Sequence, residues 1–303
     1  MEDEHRYVST AQVAEVLGLG VTTVKRWVDE GILPARKTLG GHRKVRMSDV
    51  LRLMRESELP LEKLSELFPR SRKLDFSSSL VIRGQLNSAL QEMDMELVRS
   101  LILGAQQRGF PIHLLADDVI GPALVEVGHQ WELGRIGVMH EHRATQLILS
   151  TLYELESSLS PKHKRGWPVA VGGAPEGDPT LVPTLLARMV LIEAGWEAIN
   201  LGPNTPRGAF ETAMDELKPS LIWICATHLE QVPAFLSDFQ LLYREAEKRG
   251  IAVAIGGRGL TQSIREKMPY TTFGDGMGHL SAFAHNLHQR PGIPRRGRPR
   301  KNG

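Results

Sequence analysis

The stretch VGGAPEGDPT, residues 171–180, decides how the second half of this 303-residue chain is read. It closes a short apolar run, VAVG (169–172), and opens a polar loop rich in Gly and Pro. A run of that length bounded by turn residues reads as a strand buried on both faces. The texture repeats as EAINLG (197–202), LIWICA (221–226), IAVAIGG (251–257) and, more weakly, YTTFG (270–274). Helical patterns fall between and after them, at about 181–194, 206–217, 231–249, 259–267 and 277–288. Five strands alternating with helices predict a doubly wound, parallel five-stranded α/β sheet. Ligands in such sheets bind beyond the carboxyl ends of the strands. The candidate edge is therefore Gly172–Thr180, Gly202–Pro206, Ala226–Leu229 and Gly256–Gly259.

Upstream, residues 80–159 carry helical periodicity throughout. Helices are expected at 78–92, 94–108, 111–128 and 138–159, with breaks at Gly109-Phe110-Pro111 and at Gly134–Gly137. Four helices in so short a span predict an antiparallel four-helix bundle. A linker is placed around Phe68–Ser79, where charges mix with proline.

The N-terminal region reads differently. In VSTAQVAEVLGLGVTTVKRWVD (8–29), Ser9 and Gln12 have capping-box spacing, and Val13, Val16 and Leu17 follow at helical intervals. Gly18-Leu19-Gly20 interrupts them. In the second helix Val21, Val24 and Val28 share one face, and Thr22, Lys25, Arg26 and Asp29 another. A polar, basic outer face is what a helix needs to read a major groove. Two short basic segments follow around Gly40-Gly41, as a hairpin would, and Ser48 is placed to cap a third helix. Residues 21–46 hold seven Lys/Arg against two acids. The candidate DNA contacts here are Thr22, Thr23, Lys25, Arg26, Arg36, Lys37, His42, Arg43, Lys44 and Arg46.

Charge supports that division. The net charge is +2, but residues 1–55 carry +3 and residues 290–303 carry +6 with no acid, which leaves the centre at −7. Basic ends on an acidic middle suit a polyanion gripped by the ends. The single cysteine, Cys225, excludes an internal disulfide and fits a reducing cytoplasm; as a strand-end residue it reads as buried and not as a nucleophile. No apolar run is long enough for a membrane helix, and the acidic N-terminus has no signal segment, so a cytoplasmic protein without a membrane partner is expected.

The head, from the helix-turn-helix through GILPARKTLGGHRKVR (31–46) to a third helix, resembles the winged helix-turn-helix head of the MerR family of transcription regulators. That resemblance covers about residues 7–75, and the head with its linker is placed at 1–75. The order of head, bundle (76–162) and flavodoxin- or Rossmann-like α/β domain (163–289) is similar to the cobalamin-dependent, light-responsive repressors of MerR type. It implies a sequence-specific DNA-binding regulator, a repressor and not an enzyme, that binds double-stranded DNA. It further implies self-association as a homodimer or higher oligomer, and adenosylcobalamin held between bundle and α/β domain.

The same resemblance assigns ligand contacts. Its bundle motif is a Trp, nine residues, then Glu-His, matched here by Trp131, Glu141 and His142, which would cap the upper face of the corrin. His140 is a further candidate by proximity, but at i and i+2 it faces away from His142. Its second motif is Glu/Asp-x-His-x-x-Gly after the first strand of the sheet, where the His ligates cobalt from below. The best register here is Glu176-Gly177-Asp178-Pro179-Thr180-Leu181: Asp178 stands where His belongs, Leu181 where Gly belongs, and no protein metal ligand is left. Carboxylate is a harder donor than imidazole and suits this metal less. Thr227 and the pair Gly256-Gly257 match positions that the family places near the ligand. Thr180 is the better helix cap, since Pro183 then falls within the first turn, and Glu176–Pro179 become an ordered loop facing the ligand edge. Three ligand states stay open: cobalamin without the His, another tetrapyrrole chromophore such as biliverdin, or none.

The tail RPGIPRRGRPRKNG (290–303) contains Arg296-Gly297-Arg298-Pro299, similar to the core of an AT-hook. Arg296 and Arg298 would enter a narrow minor groove while Gly and Pro keep the segment thin. A disordered basic tail adding only salt-dependent affinity accounts for the composition equally well.

Overall fold

The computed structural model describes residues 7–37, 43–46, 49–50, 53, 74–159 and 166–288. The chain divides into two units, Met1–Leu74 and Asp75–Gly303.

In the first unit, β1 (Tyr7–Ser9) leads into α1 (Thr10–Leu17), α2 (Val21–Asp29), β2 (Ala35–Lys37) and β3 (Arg43–Arg46). The expected capping box forms: the Ser9 N–H donates to Gln12 Oε1 at 2.9 Å, and the Gln12 N–H returns to Ser9 Oγ at 3.2 Å. Gly18, at φ 65°, makes the turn between the helices in a backbone region that favours glycine. The strands form an antiparallel sheet in the order β1-β3-β2. Val8, Val13, Val24, Leu33, Val45 and Val50 form its core. Val21, the first residue of α2 and on the same face as the buried Val24, is 39% exposed. Asp49, Val50 and Leu53 are helical, as expected for the third helix. Gly40-Gly41, His42, Ser48, the linker residues 68–73 and the tail with Arg296 and Arg298 lie outside the described residues.

The second unit begins with a helical layer: α3 (Ser79–Gln91), α4 (Met95–Gln107), α5 (Ile112–Leu114), a π-helical segment (Leu115–Ile120), α6 (Gly121–Glu132) and α7 (Val138–Leu159). Ser78 caps α3 and Asp94 caps α4 through their side-chain oxygens. Gly109, at φ 86°, makes the expected break. The π turn ends two residues before Pro122, whose ring lacks an N–H and needs room against the carbonyl four residues back, within that turn. The helix expected to end at 128 continues to Glu132, so Trp131 is helical.

The sheet follows: β4 (Val169–Pro175), α8 (Val182–Glu193), β5 (Glu197–Thr205), α9 (Arg207–Leu217), β6 (Leu221–Cys225), α10 (Val232–Lys248), β7 (Ala252–Gly256), α11 (Gln262–Arg265), β8 (Thr272–Gly274) and α12 (Met277–His288). All five strands are parallel, in the order β5-β4-β6-β7-β8. The chain lays β5 on one side of β4, then crosses back to lay β6 on the other. That reversal makes the carboxyl ends of β4 and β6 the topological switch point.

One face of the sheet packs on α9 and α10 through Ile222, Ile224, Val253 and Ile255 against Phe210, Phe239 and Leu242. The other packs on α8 and α12 through Ala170, Leu221, Trp223 and Ala254 against Ala187, Leu191 and Ala284. Nearly every residue of α8 is buried, because the helical layer covers its outer side. Polar contacts tie that layer down. The Glu193 carboxylate accepts the Ile112 N–H at 3.0 Å, and Arg188 pairs with Glu156 of α7 while donating from Nε to the Ala198 carbonyl. Asp117, in the π segment, accepts the Met277 and Gly278 N–H groups at 2.7 and 2.8 Å and so caps α12.

Candidate functional site

The outer face of α2 is built as a groove-reading surface would be. Val24 is fully buried beneath it, while Thr22, Lys25, Arg26 and Asp29 are exposed and Thr23 is half-buried. The strands add cations, but they are not all free. Arg43 donates to both oxygens of Asp29, at 2.7 and 3.0 Å, and so fastens β3 to α2. Arg36 and Arg46 flank the Tyr7 ring at 5.7 and 5.8 Å, and Arg46 Nε donates to the Tyr7 hydroxyl at 2.9 Å. Tyr7 is thus a platform for two guanidiniums. Its role was missed in the sequence because pairing of β1 with β3 brings it there from 39 residues away. Lys44 is half-buried on β3, between the partners Ser9 on β1 and Arg36 on β2. Lys37 closes β2.

The expected ligand edge of the sheet is held together by Asp178. Its side chain is 0% exposed. Oδ2 accepts the Thr227 N–H at 2.6 Å and the His228 N–H at 3.0 Å, from the loop after β6. Oδ1 accepts the Thr180 N–H at 2.9 Å within its own loop. The Asp178 carbonyl accepts the Asn204 N–H at 2.8 Å from the end of β5, and Asn204 Oδ1 accepts the Gly177 N–H in return. One residue therefore joins the loop after β4 to the end of β5 and to the loop after β6. Thr180 does not cap α8 as expected. The cap position is Leu181, without a side-chain bond, and the Thr180 N–H is engaged by Asp178. Glu176, Gly177 and Pro179 face outward and Asp178 faces inward.

Gly256 and Gly257 complete the closure from β7. A Cβ on Gly257, at φ 113°, would stand 2.2 Å from the Ala226 carbonyl oxygen. The close approach these glycines permit is thus to the protein's own backbone. Ala226 donates to the Gly256 carbonyl at 2.8 Å, and its carbonyl accepts the Gly259 N–H at 3.0 Å.

Beneath this edge lies Trp223, fully buried on the α8 face. Its Nε1 donates to Thr184 Oγ1 at 3.1 Å, and that hydroxyl donates to Asn200 Oδ1 at 2.9 Å. Sequence reasoning passed over Trp223 as a strand residue. The Gly172-Gly173 pair in the neighbouring strand was the available signal, since side chains are absent there to admit a large one opposite. Cys225, next on the same face, is buried as expected. Burial first, then the charge of Asp178, pushes its thiol pKa up to about 12.

In the helical layer, Trp131 at the end of α6 is 46% exposed, with Leu133, Val138 and Met139 exposed around the turn. Glu141 and His142 pair with each other in the first turn of α7, His142 Nδ1 lying 2.5 Å from Glu141 Oε2. His140 lines a separate cavity of about 180 Å³ between α3, α6 and α7, with Leu90, Val127, Gln130, Arg135 and Ala144. Among the described residues no group of three or more His, Cys, Asp or Glu could hold a metal ion, and no helix is long and apolar enough to cross a membrane.

Residues 7–58 match the helix-turn-helix domain family, and residues 82–156 match the B12 binding domain family. The chain is 23% identical over 283 residues to the HTH-type transcriptional repressor CarH of Myxococcus xanthus, covering 86% of this chain and 92% of that one. It is 26% identical over 165 residues to dimethylamine corrinoid protein 1 of Methanosarcina acetivorans, covering 54% and 76%. The second unit shares its fold with the monomethylamine corrinoid protein of Methanosarcina barkeri, at a TM-score of 0.58 and 16% identity, over 69% of this chain and all of that one. The chain thus joins a helix-turn-helix head to a unit of the B12-binding type.

Proposed function

We propose that this protein is a sequence-specific DNA-binding transcriptional repressor whose second unit is its regulatory part. The observation that carries the reading is the outer face of α2: Thr22, Lys25 and Arg26 stand exposed on a helix whose opposite side is locked by Val24. Arg36, Lys44 and Arg46 on the adjoining strands supply cations for phosphates, which orient a protein on DNA without reading it. Similarity to a transcriptional repressor along 86% of the chain supports the same reading. The second unit shares the fold of a corrinoid protein, which suits a sensor.

A gel-shift titration tests this, with DNA from upstream of the protein's own gene against random DNA of equal length at fixed salt. A specific repressor binds its operator at least about a thousand-fold more tightly than random sequence. Equal affinity for the two overturns the reading.

A further inference from the structure

We propose that the ligand edge of the sheet is closed to cobalamin by the chain itself, and that Asp178 and Trp223 are the residues that close it. The inference rests on reading residues 75–288 as the regulatory unit. It specifies what that unit excludes.

Cobalamin presents its cobalt and its nucleotide tail on the same face of the corrin. A sheet edge that receives it with the nucleotide base displaced from the metal offers a donor to the metal and space for the tail. The donor is missing. The loop after β4 holds no imidazole, and its buried carboxylate, Asp178, is turned inward and already accepts three backbone N–H groups. Turning it toward a metal would leave those three donors unpaired, and buried donors are costly to strand. The exposed imidazole nearby, His228, has its Nε2 3.3 Å from Glu230 Oε1, and the backbone N–H of the same residue is one of the three that Asp178 holds.

The space is missing too. At the switch point the crevice between β4 and β6 is filled on its α8 side by the Trp223 indole. A Cβ on Gly172 would lie 2.0 Å from Trp223 Cδ2, so the ring is pressed onto the β4 backbone. Its only polar atom is satisfied by Thr184, and the chain of bonds continues through Asn200 to the Gly202 N–H. Above it the loops after β4 and β6 and the end of β5 meet on Asp178, and the loop after β7 closes on Ala226. Three loops and the end of β5, which would part around a ligand, are bonded to one another instead.

The test uses the full-length protein, kept dark. Native protein is incubated with hydroxocobalamin or adenosylcobalamin, desalted, and its visible absorption is recorded. The native chain is expected to elute without corrin absorption, as is Trp223→Phe, which keeps an aromatic ring in the crevice. Retention near one equivalent by the native chain overturns the proposal, whichever residue then holds the metal. The double variant Trp223→Ala with Asp178→His supplies space and imidazole together, and is expected to retain at least ten-fold more cobalamin than native. A double variant that is folded by circular dichroism and retains no more than native overturns the assignment to these two residues. If it does not fold, the native result still decides whether the edge is closed. A gel shift on the same native preparation reads the proposed DNA binding independently, so failure of either idea is distinguishable.

Discussion

Gly172 and Trp223, partners on adjacent strands, share one volume: the indole occupies the space that any side chain at Gly172 would need, 2.0 Å from its Cβ position. Gly172→Ala therefore inserts a methyl into a ring that cannot retreat, because Trp223 Nε1 is fixed to Thr184. Overpacking of this kind costs about 3 kcal/mol. Denaturant unfolding is expected to show that loss, with Trp223→Ala recovering part of it when the two changes are combined. Strict additivity would mean that the two residues do not compete for space.

Asp178→Ala strands three backbone N–H groups that now share one carboxylate. Leaving a buried donor unmade costs about 1–3 kcal/mol. A loss of about 4 kcal/mol is expected, with Asp178→Asn losing less because it keeps one acceptor oxygen. Hydrogen exchange gives the sharper readout. The Thr227 and His228 amides should exchange far faster in Asp178→Ala, while amides in the middle of β6 stay protected. Unchanged exchange at both amides would show that the carboxylate does not hold that loop.

These two residues also mark where the sequence stopped being legible. The five strands, their parallel order and the loops at their carboxyl ends were all readable, since short apolar runs alternating with helical periods admit few topologies. Asp178 could be seen as a residue out of place, but its role could not. That role depends on Thr227 and His228, 49 and 50 residues away, whose amides the switch point brings to it. The π turn at Leu115–Ile120 was hidden for a similar reason: Pro122 announces a disturbance without saying which geometry relieves it. In the head, periodicity found the inner and outer faces of α2, but pairing of β1 with β3 decided which cations Tyr7 collects.

Cys225 supplies a pH-dependent check. Burial, reinforced by Asp178, raises its pKa from 9.0 to about 12 in the folded protein. Thiol reagents at pH 8 should leave the native chain unmodified and label it fully in denaturant, since only the thiolate reacts. The effect on stability has a definite sign. Between pH 9 and about 12 the unfolded chain has released the thiol proton and the folded chain has not, so the unfolded state binds fewer protons. Stability from this group therefore falls as pH rises through that window, and it is unaffected below it. Rapid labelling of the native protein at pH 8 would show that the β6 end opens to solvent.

On the proposed DNA-binding face, Lys25→Ala and Arg26→Ala change exposed side chains and should leave the melting temperature unchanged. A residue that contacts a phosphate weakens all DNA alike and reduces the salt slope by about 0.9. One that reads a base costs about 1–3 kcal/mol and relaxes preference at a single position. Lys25 is expected to behave as the first kind and Arg26 as the second, in gel shifts across a salt series and a set of point-changed operators. Tyr7→Ala should weaken both specific and random DNA several-fold by releasing Arg36 and Arg46. Full affinity in Tyr7→Ala would remove those two arginines from the interface.

Asp117 joins the helical layer to the sheet, and its removal separates a capping role from simple surface charge. The carboxylate reaches α12 from the π segment and accepts the Met277 N–H on one oxygen and the Gly278 N–H on the other. Those donors open a helix, where no partner within the helix exists and where negative charge is favoured by the backbone dipoles. Loss of a cap costs about 1 kcal/mol, and the side chain is exposed, so no core is disturbed. Asp117→Ala is thus expected to lower stability by about 1–2 kcal/mol and to loosen the start of α12 in hydrogen exchange. Gly276→Ala probes the same contact from the other side, because a Cβ there would stand 2.7 Å from Asp117 Oδ2. It should displace the carboxylate and cost as much alone. In Asp117→Ala the obstacle is gone, so adding Gly276→Ala should cost little more. A double variant as unstable as the sum of the two would mean that Gly276 is required for its own backbone conformation and that Asp117 does not hold the helix.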